Sequence, residues 1–151
     1  MKYSNYLYGV FLMLFIGMFF VSCDFMDDYI KKPIKTICDK KTIFDGDRYQ
    51  LVSTANYQVD NVVLNEDCLE VTITSSACLP EHLEMNLIAT GSSAAVYPPL
   101  VTAKIELKIH SSCTVIQQKT VSFDVTPLQM SGTDKIQISI DGWNTPIIYQ
   151  Y

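Results

Sequence analysis

Residues that carry catalysis or bind metals are scarce in this chain. Of its 151 residues, two are histidine and one is tryptophan. No C-x-x-C pair occurs, and Glu81-His82 runs on through Leu83, Glu84 and Met85 without the second histidine of H-E-x-x-H. The zinc-site spacings are therefore missing, and no metal or other cofactor is expected. G-x-S-x-G, the P-loop and the dinucleotide fingerprint are missing too. The carboxylates are scattered along outward faces and loops, so they give no sign of a glycosidase pair. Beyond residue 42 no segment sustains a 3.6-residue period, which argues against a helical core.

One long apolar run is present, and it is short for a membrane span. Gly9 to Val21 is uninterrupted, and its thirteen residues make about 20 Å of helix against a hydrocarbon core of about 30 Å. With Lys2 ahead of it, the segment reads as the n-region and h-region of a secretory signal. The run stops at Cys23, and Asp24, Asp27 and Asp28 follow. Phe20-Val21-Ser22-Cys23 resembles the lipobox of bacterial lipoproteins, with Phe20 where leucine is usual. That resemblance implies cleavage after residue 22 and a Cys23 whose sulfur carries diacylglycerol, palmitate-type chains holding the protein in a bilayer. Two or more acyl chains anchor stably where one is marginal. The acids after Cys23 resemble the export signal of surface lipoproteins in the Bacteroidota. The implied location is the cell outer membrane, with either the surface or the periplasmic face open.

Without residues 1 to 22 the chain is one domain and a tether. Residues 23 to 41 read as the lipidated tether and 42 to 151 as the domain. Asp24 to Lys41 holds four acids and five lysines, whereas Thr42 to Tyr151 holds twelve acids against five bases, a net charge of −7. Nucleic acid is excluded as a partner by that sign.

Within the domain the hydrophobic period is two. Val101, Ala103, Ile105, Leu107 and Ile109 alternate with Thr102, Lys104, Glu106, Lys108 and His110, which puts the first set in the core and leaves Glu106 an ordinary wet position. Cys68 to Thr74, Thr120 to Val125 and Lys135 to Asp141 repeat the pattern. Tyr49 to Thr54, Tyr57 to Leu64, Glu84 to Thr90, Thr114 to Lys119 and Ile147 to Tyr151 are weaker strands. Ile116 and Val121 are out of phase, which a bulge near Lys119 would repair. Turns at Asn65-Glu66-Asp67, Gly91-Ser92-Ser93, Ser131-Gly132-Thr133 and Asp141-Gly142-Trp143-Asn144 join the segments. The expected fold is all-β, an antiparallel immunoglobulin-like β-sandwich of seven or eight strands after the lipoprotein signal peptide.

The run "CLEVTITSSAC", the tip before Cys113, "VSFDVTPLQ" and the closing "IDGW" and "IIYQY" resemble a family of small, uncharacterised lipoproteins from Flavobacteriia and their relatives. The resemblance covers most of the folded part and implies an anchored β domain with no assigned activity.

In an exported chain Cys38, Cys68, Cys78 and Cys113 are expected as disulfides rather than nucleophiles beside His82 or His110. If successive strands alternate direction, the loop holding Cys78 and the tip holding Cys113 share one end of the sandwich, and Cys38 and Cys68 share the other. Bridged Cα atoms lie within about 7 Å, so the pairing reads Cys78–Cys113 and Cys38–Cys68. For contact with a partner the best candidates are Tyr97, Pro98 and Pro99 in the small-residue loop "GSSAAVYPPL", and Trp143. Tyr149 and Tyr151 are further aromatics that could stack. These features imply a non-catalytic interaction module, held in the outer membrane by its lipid, that binds an envelope or extracellular protein or a glycan. The alternative is a periplasm-facing inhibitor or accessory subunit of an envelope hydrolase. Metabolic labelling with an alkyne fatty acid should mark the protein, and Cys23→Ala should abolish both label and membrane retention; retention without Cys23 would point to an uncleaved helix.

Overall fold

A computed structural model describes residues 37 to 93 and 96 to 151, which belong to one compact unit, Thr36–Tyr151. The signal segment, Cys23 and the tether as far as residue 36 lie outside the described residues.

Alternating sequence becomes alternating burial. The strands are β1 (Lys40–Lys41), β2 (Ile43–Phe44), β3 (Tyr57–Asn65), β4 (Cys68–Ser76), β5 (Leu83–Ser93), β6 (Leu100–Ile109), β7 (Ile116–Asp124), β8 (Lys135–Ile140) and β9 (Ile147–Gln150). Seven of these nine are longer than two residues. They form two sheets, ordered β1-β7-β4-β3 and β2-β5-β6-β8-β9. Between the sheets lie Leu69, Val71 and Ile73 of β4, Val121 and Phe123 of β7, Met85 and Leu87 of β5, Val101, Ala103 and Ile105 of β6, and Ile136 and Ile138 of β8. The result is an all-β sandwich.

Its sheets are mixed rather than purely antiparallel. β1 runs parallel to β7, β2 to β5, and β6 to β8. The first two pairings arise because residues 40 to 44 hand the chain from one sheet to the other, with buried Thr42 between them. Residues 38 to 41 therefore belong to the sandwich and not to a tether. Their anchor is the Cys38–Cys68 disulfide, with Cα atoms 5.5 Å apart.

Three local expectations are overturned. Gly91-Ser92-Ser93 is not a turn but the end of β5, paired with β6 as far as Ser93↔Leu100. Tyr49 to Thr54 is not a strand: Gly46–Leu51 is a short helix, α1, whose N-cap Asp45 accepts from the Arg48 N–H at 3.0 Å. The cap and the acidic first turn, Asp45-Gly46-Asp47, outweigh the brief alternation around Leu51. β7 also has no bulge at Lys119, pairing with β4 continuously from Ser76↔Ile116 to Cys68↔Asp124. Val121 faces the core and Ile116 faces solvent, so the phase conflict is resolved by exposing Ile116. The register shifts lie instead at Val59/Asn61 in β3 and Thr90/Ser92 in β5.

Glu106 is not an ordinary surface residue. The Arg48 guanidinium forks onto it, Nε to Oε1 at 2.9 Å and Nη2 to Oε2 at 2.5 Å, and Asn86 Nδ2 donates to Oε2 at 3.0 Å. With Lys104 Nζ 4.4 Å from the Tyr49 ring centroid, this fastens α1 onto the outer face of the second sheet, over buried Ile88. The Arg48 bonds hold the Glu106 carboxyl down at about 2. Because the folded chain binds this proton more weakly than the unfolded one, the pair stabilises fully above the ordinary value of 4.5 and its contribution is lost as pH falls toward 2. Denaturant midpoints measured across that window should fall less steeply for Glu106→Gln than for the parent; identical acid limbs would remove the pair from the account. In the core, Ile105 is fully buried and Leu107 only partly. Ile105→Ala should cost roughly 2–5 kcal/mol in urea unfolding, and Leu107→Ala less.

Candidate binding surface

The strand directions place the ends of the molecule. β6 rises from Leu100 to Ile109, β5 and β7 descend, and β4 rises. The loop after β4 and the tip after β6 thus meet at the upper end, where Cys78 and Cys113 are bridged with Cα atoms 4.7 Å apart. Both disulfides join the cysteines that strand alternation paired. With the sulfurs bonded to each other, neither thiol is available to His82 or His110.

Around the upper bridge the backbone is held at close intervals. Ala77 N–H donates to Val115 O at 3.0 Å, Cys78 N–H to Ser111 O at 3.3 Å, and His110 N–H to His82 O at 2.9 Å. Pro80 opens the short 3-10 turn Pro80–His82, and Gln117 Nε2 donates to Cys78 O at 3.4 Å. This fixed frame turns apolar side chains to solvent: Leu79 is 47% exposed, Val115 52% and Ile116 65%. All three lie at this end of the molecule, for Ile116 pairs with Ser76 and Val115 O accepts from the Ala77 N–H, two residues before Leu79. Beside them His110 Nε2 lies 3.0 Å from Glu84 Oε2, and the His110 bond lowers the Glu84 carboxyl below its ordinary value.

The aromatics chosen from the sequence do not form one surface. Tyr97 is 72% exposed at the lower end, with Lys135 Nζ 5.1 Å from its ring centroid. Pro98 follows it through a cis peptide, and Pro99 O accepts from Gln137 N–H at 2.9 Å. Trp143 lies past the far end of β8, about 20 Å along that strand, half-buried against the core. Tyr149 is a core residue: its hydroxyl donates to Asp67 Oδ1 at 2.6 Å and accepts from Gln129 Nε2 at 2.7 Å. Burial, with Asp67 next to it, pushes the Tyr149 phenol up to about 12. Tyr151 packs on Tyr149 at 5.1 Å and bonds Met130. The upper apolar group was overlooked in the sequence, although the Ile116 phase conflict was its signal.

Among the described residues no three of His, Cys, Asp and Glu gather as a metal site. No protein-family model matches the chain, and no curated protein does. Two solved structures share its fold. One is a DUF1344 protein of unknown function from Bacteroides vulgatus, 16% identical with a TM-score of 0.51 over 77% of this chain and 58% of that one. The other is a NigD-like immunity protein from Bacteroides caccae, 12% identical with a TM-score of 0.50 over 75% and 59%. The chain spans about three fifths of the length of each, and at these identities the likeness is one of fold.

Proposed function

We propose that this protein is a non-catalytic interaction module of the cell envelope, held in the outer membrane through an acylated Cys23. The observation that carries the reading is the upper apolar group, Leu79, Val115 and Ile116. It is exposed on a frame fixed by the Cys78–Cys113 bridge, which lowers the entropy lost when a partner binds. Apolar side chains on a rigid frame are a binding surface rather than a core, because the frame leaves them no way to fold inward. The lipobox resemblance supports the anchor, and the acids after it support export to the outer membrane.

A second reading is an inhibitor or accessory subunit on the periplasmic side. It is favoured by one observation, that a solved structure with the same fold is named a NigD-like immunity protein. In either role the partner is a protein, and surface protease shaving of intact cells separates the two by accessibility.

The surface is tested by capture from solubilised membranes with the acylated protein as bait. Leu79→Asp with Ile116→Asp should lose a partner that the parent recovers, while Tyr97→Ala should keep it. Loss with Tyr97→Ala alone would move the contact to the lower end and overturn this assignment.

A further inference from the structure

A sandwich of two open sheets has strand edges to protect, and several of those among the described residues are blunted. β2 and β9 are short, and β3 is interrupted by its register shift at Val59/Asn61. Along β5, β2 covers only Ile88 and Ala89. Above them, Met85 O accepts from Lys40 Nζ at 2.8 Å and Leu83 O from Lys119 Nζ at 2.6 Å. Short strands, bulges and lysines are the usual means of keeping an edge from pairing.

β7 is neither short nor bulged, and its one lysine, Lys119, is turned inward rather than across its open edge. β1 pairs with it only at Phe123 and Asp124, and the Asp39 carboxylate accepts from Ser122 N–H at 2.9 Å. The Ser122 N–H and the Asp124 carbonyl, which accepts from Thr42 N–H at 3.1 Å, both face this edge. Backbone groups alternate sides along a strand, so Ile116, Gln118 and Thr120 also turn theirs outward to it. Among the described residues no strand lies beyond them. The segment is straight and free of proline, and it begins at the exposed Ile116.

Lys119 supplies the chemistry of the partner. Its side chain points into the seam between β7 and β5, where its bond is to the neutral Leu83 carbonyl. The ion pairs of the described residues, Arg48–Glu106 and His110–Glu84, do not include it. A strand laid on the β7 edge would place one inward side chain beside this ammonium, and a carboxylate there would supply the missing counter-charge. We infer that the edge of β7 from Ile116 to Val121 receives an extended segment of a partner protein by strand addition, with an acidic side chain facing Lys119. This rests on the interaction-module reading and names the partner's conformation and charge.

The probe is a fluorescent peptide, Thr-Val-Thr-Asp-Thr-Val-Thr, whose pattern is the same in either direction, and a control with Asn for Asp. Added to the full chain in detergent, the Asp peptide should bind about tenfold tighter than the Asn peptide, as a close charge pair across an interface warrants. It should also protect the Gln118 amide from hydrogen exchange. Thr120→Pro removes an edge N–H that bonds nothing within the sheet, so it should fold and lose binding. Lys119→Gln keeps a donor for Leu83 O and should erase the Asp preference while retaining binding of both peptides. Equal affinity of the two peptides for the parent, protection at β3 instead, or binding undiminished in Thr120→Pro overturns the proposal. So does concentration-dependent protection of Gln118 without peptide, which would assign the edge to a second copy. If Thr120→Pro still captures the membrane partner that Leu79→Asp with Ile116→Asp loses, strand addition fails and the module reading stands.

Discussion

The packing of one sheet on the other is apolar, and apolar contact is non-directional. Its strength comes from area removed from water, and its geometry comes from a few directional ties at the rim. At the lower end Tyr149 reaches out of the second sheet to Asp67 in the β3–β4 turn of the first. At one side residues 40 to 44 pass between the sheets, with Cys38 bonded to Cys68 behind them. Higher on the same side Lys119 crosses from β7 to the Leu83 carbonyl. Without these ties the inward faces have nothing polar to set how one lies over the other. Tyr149 shows the cost of the arrangement: its phenol is buried against a carboxylate, and keeps its proton far into the alkaline range because only the neutral hydroxyl can donate to Asp67.

The sequence made most strands legible because one face of each is wet. Val101 to Ile109 and Lys135 to Asp141 alternate cleanly, and the structure places β6 and β8 on them within a residue or two. The disulfides were legible for the same reason, since strand number fixes strand direction and direction fixes which end a cysteine occupies. That count included Tyr49 to Thr54 as a strand, which is a helix. The pairing survived because Cys68 is placed by the β3–β4 hairpin and Cys38 by β1, and neither depends on the path of the chain between β2 and β3. The two-residue strands β1 and β2 had no period to show, being too short to alternate.

What could not be read was whatever depends on a side chain's distant neighbour. Glu106 has the outward parity of a solvated position, yet Arg48, fifty-eight residues earlier, is brought over it by α1. Tyr149 and Trp143 both stand near turns in the sequence and both look exposable. One closes the core by hydrogen-bonding to Asp67 and the other is half-covered, whereas Tyr97 is largely outside. The apolar group at the upper end escaped notice because its members are not consecutive. Leu79 lies beside one cysteine, Val115 and Ile116 beside the other, and the bridge between Cys78 and Cys113 is what holds them at one end.

Edge protection bears on the proposed lipid anchor. A chain held at a membrane meets copies of itself at high local concentration, and an unguarded strand edge then invites pairing among copies. Among the described residues several edges are guarded, by brevity at β2 and β9, by the register shift in β3, and by ammonium groups over β5. β7 carries its own obstacle to self-pairing. Two copies aligned antiparallel about Lys119 would set this residue opposite its counterpart, and like charges opposed across strands destabilise the pair. The same charge that disfavours a second copy favours an acidic strand from elsewhere. One lysine therefore does both tasks: it satisfies a carbonyl across the seam, and it sorts by charge what can be added beside it.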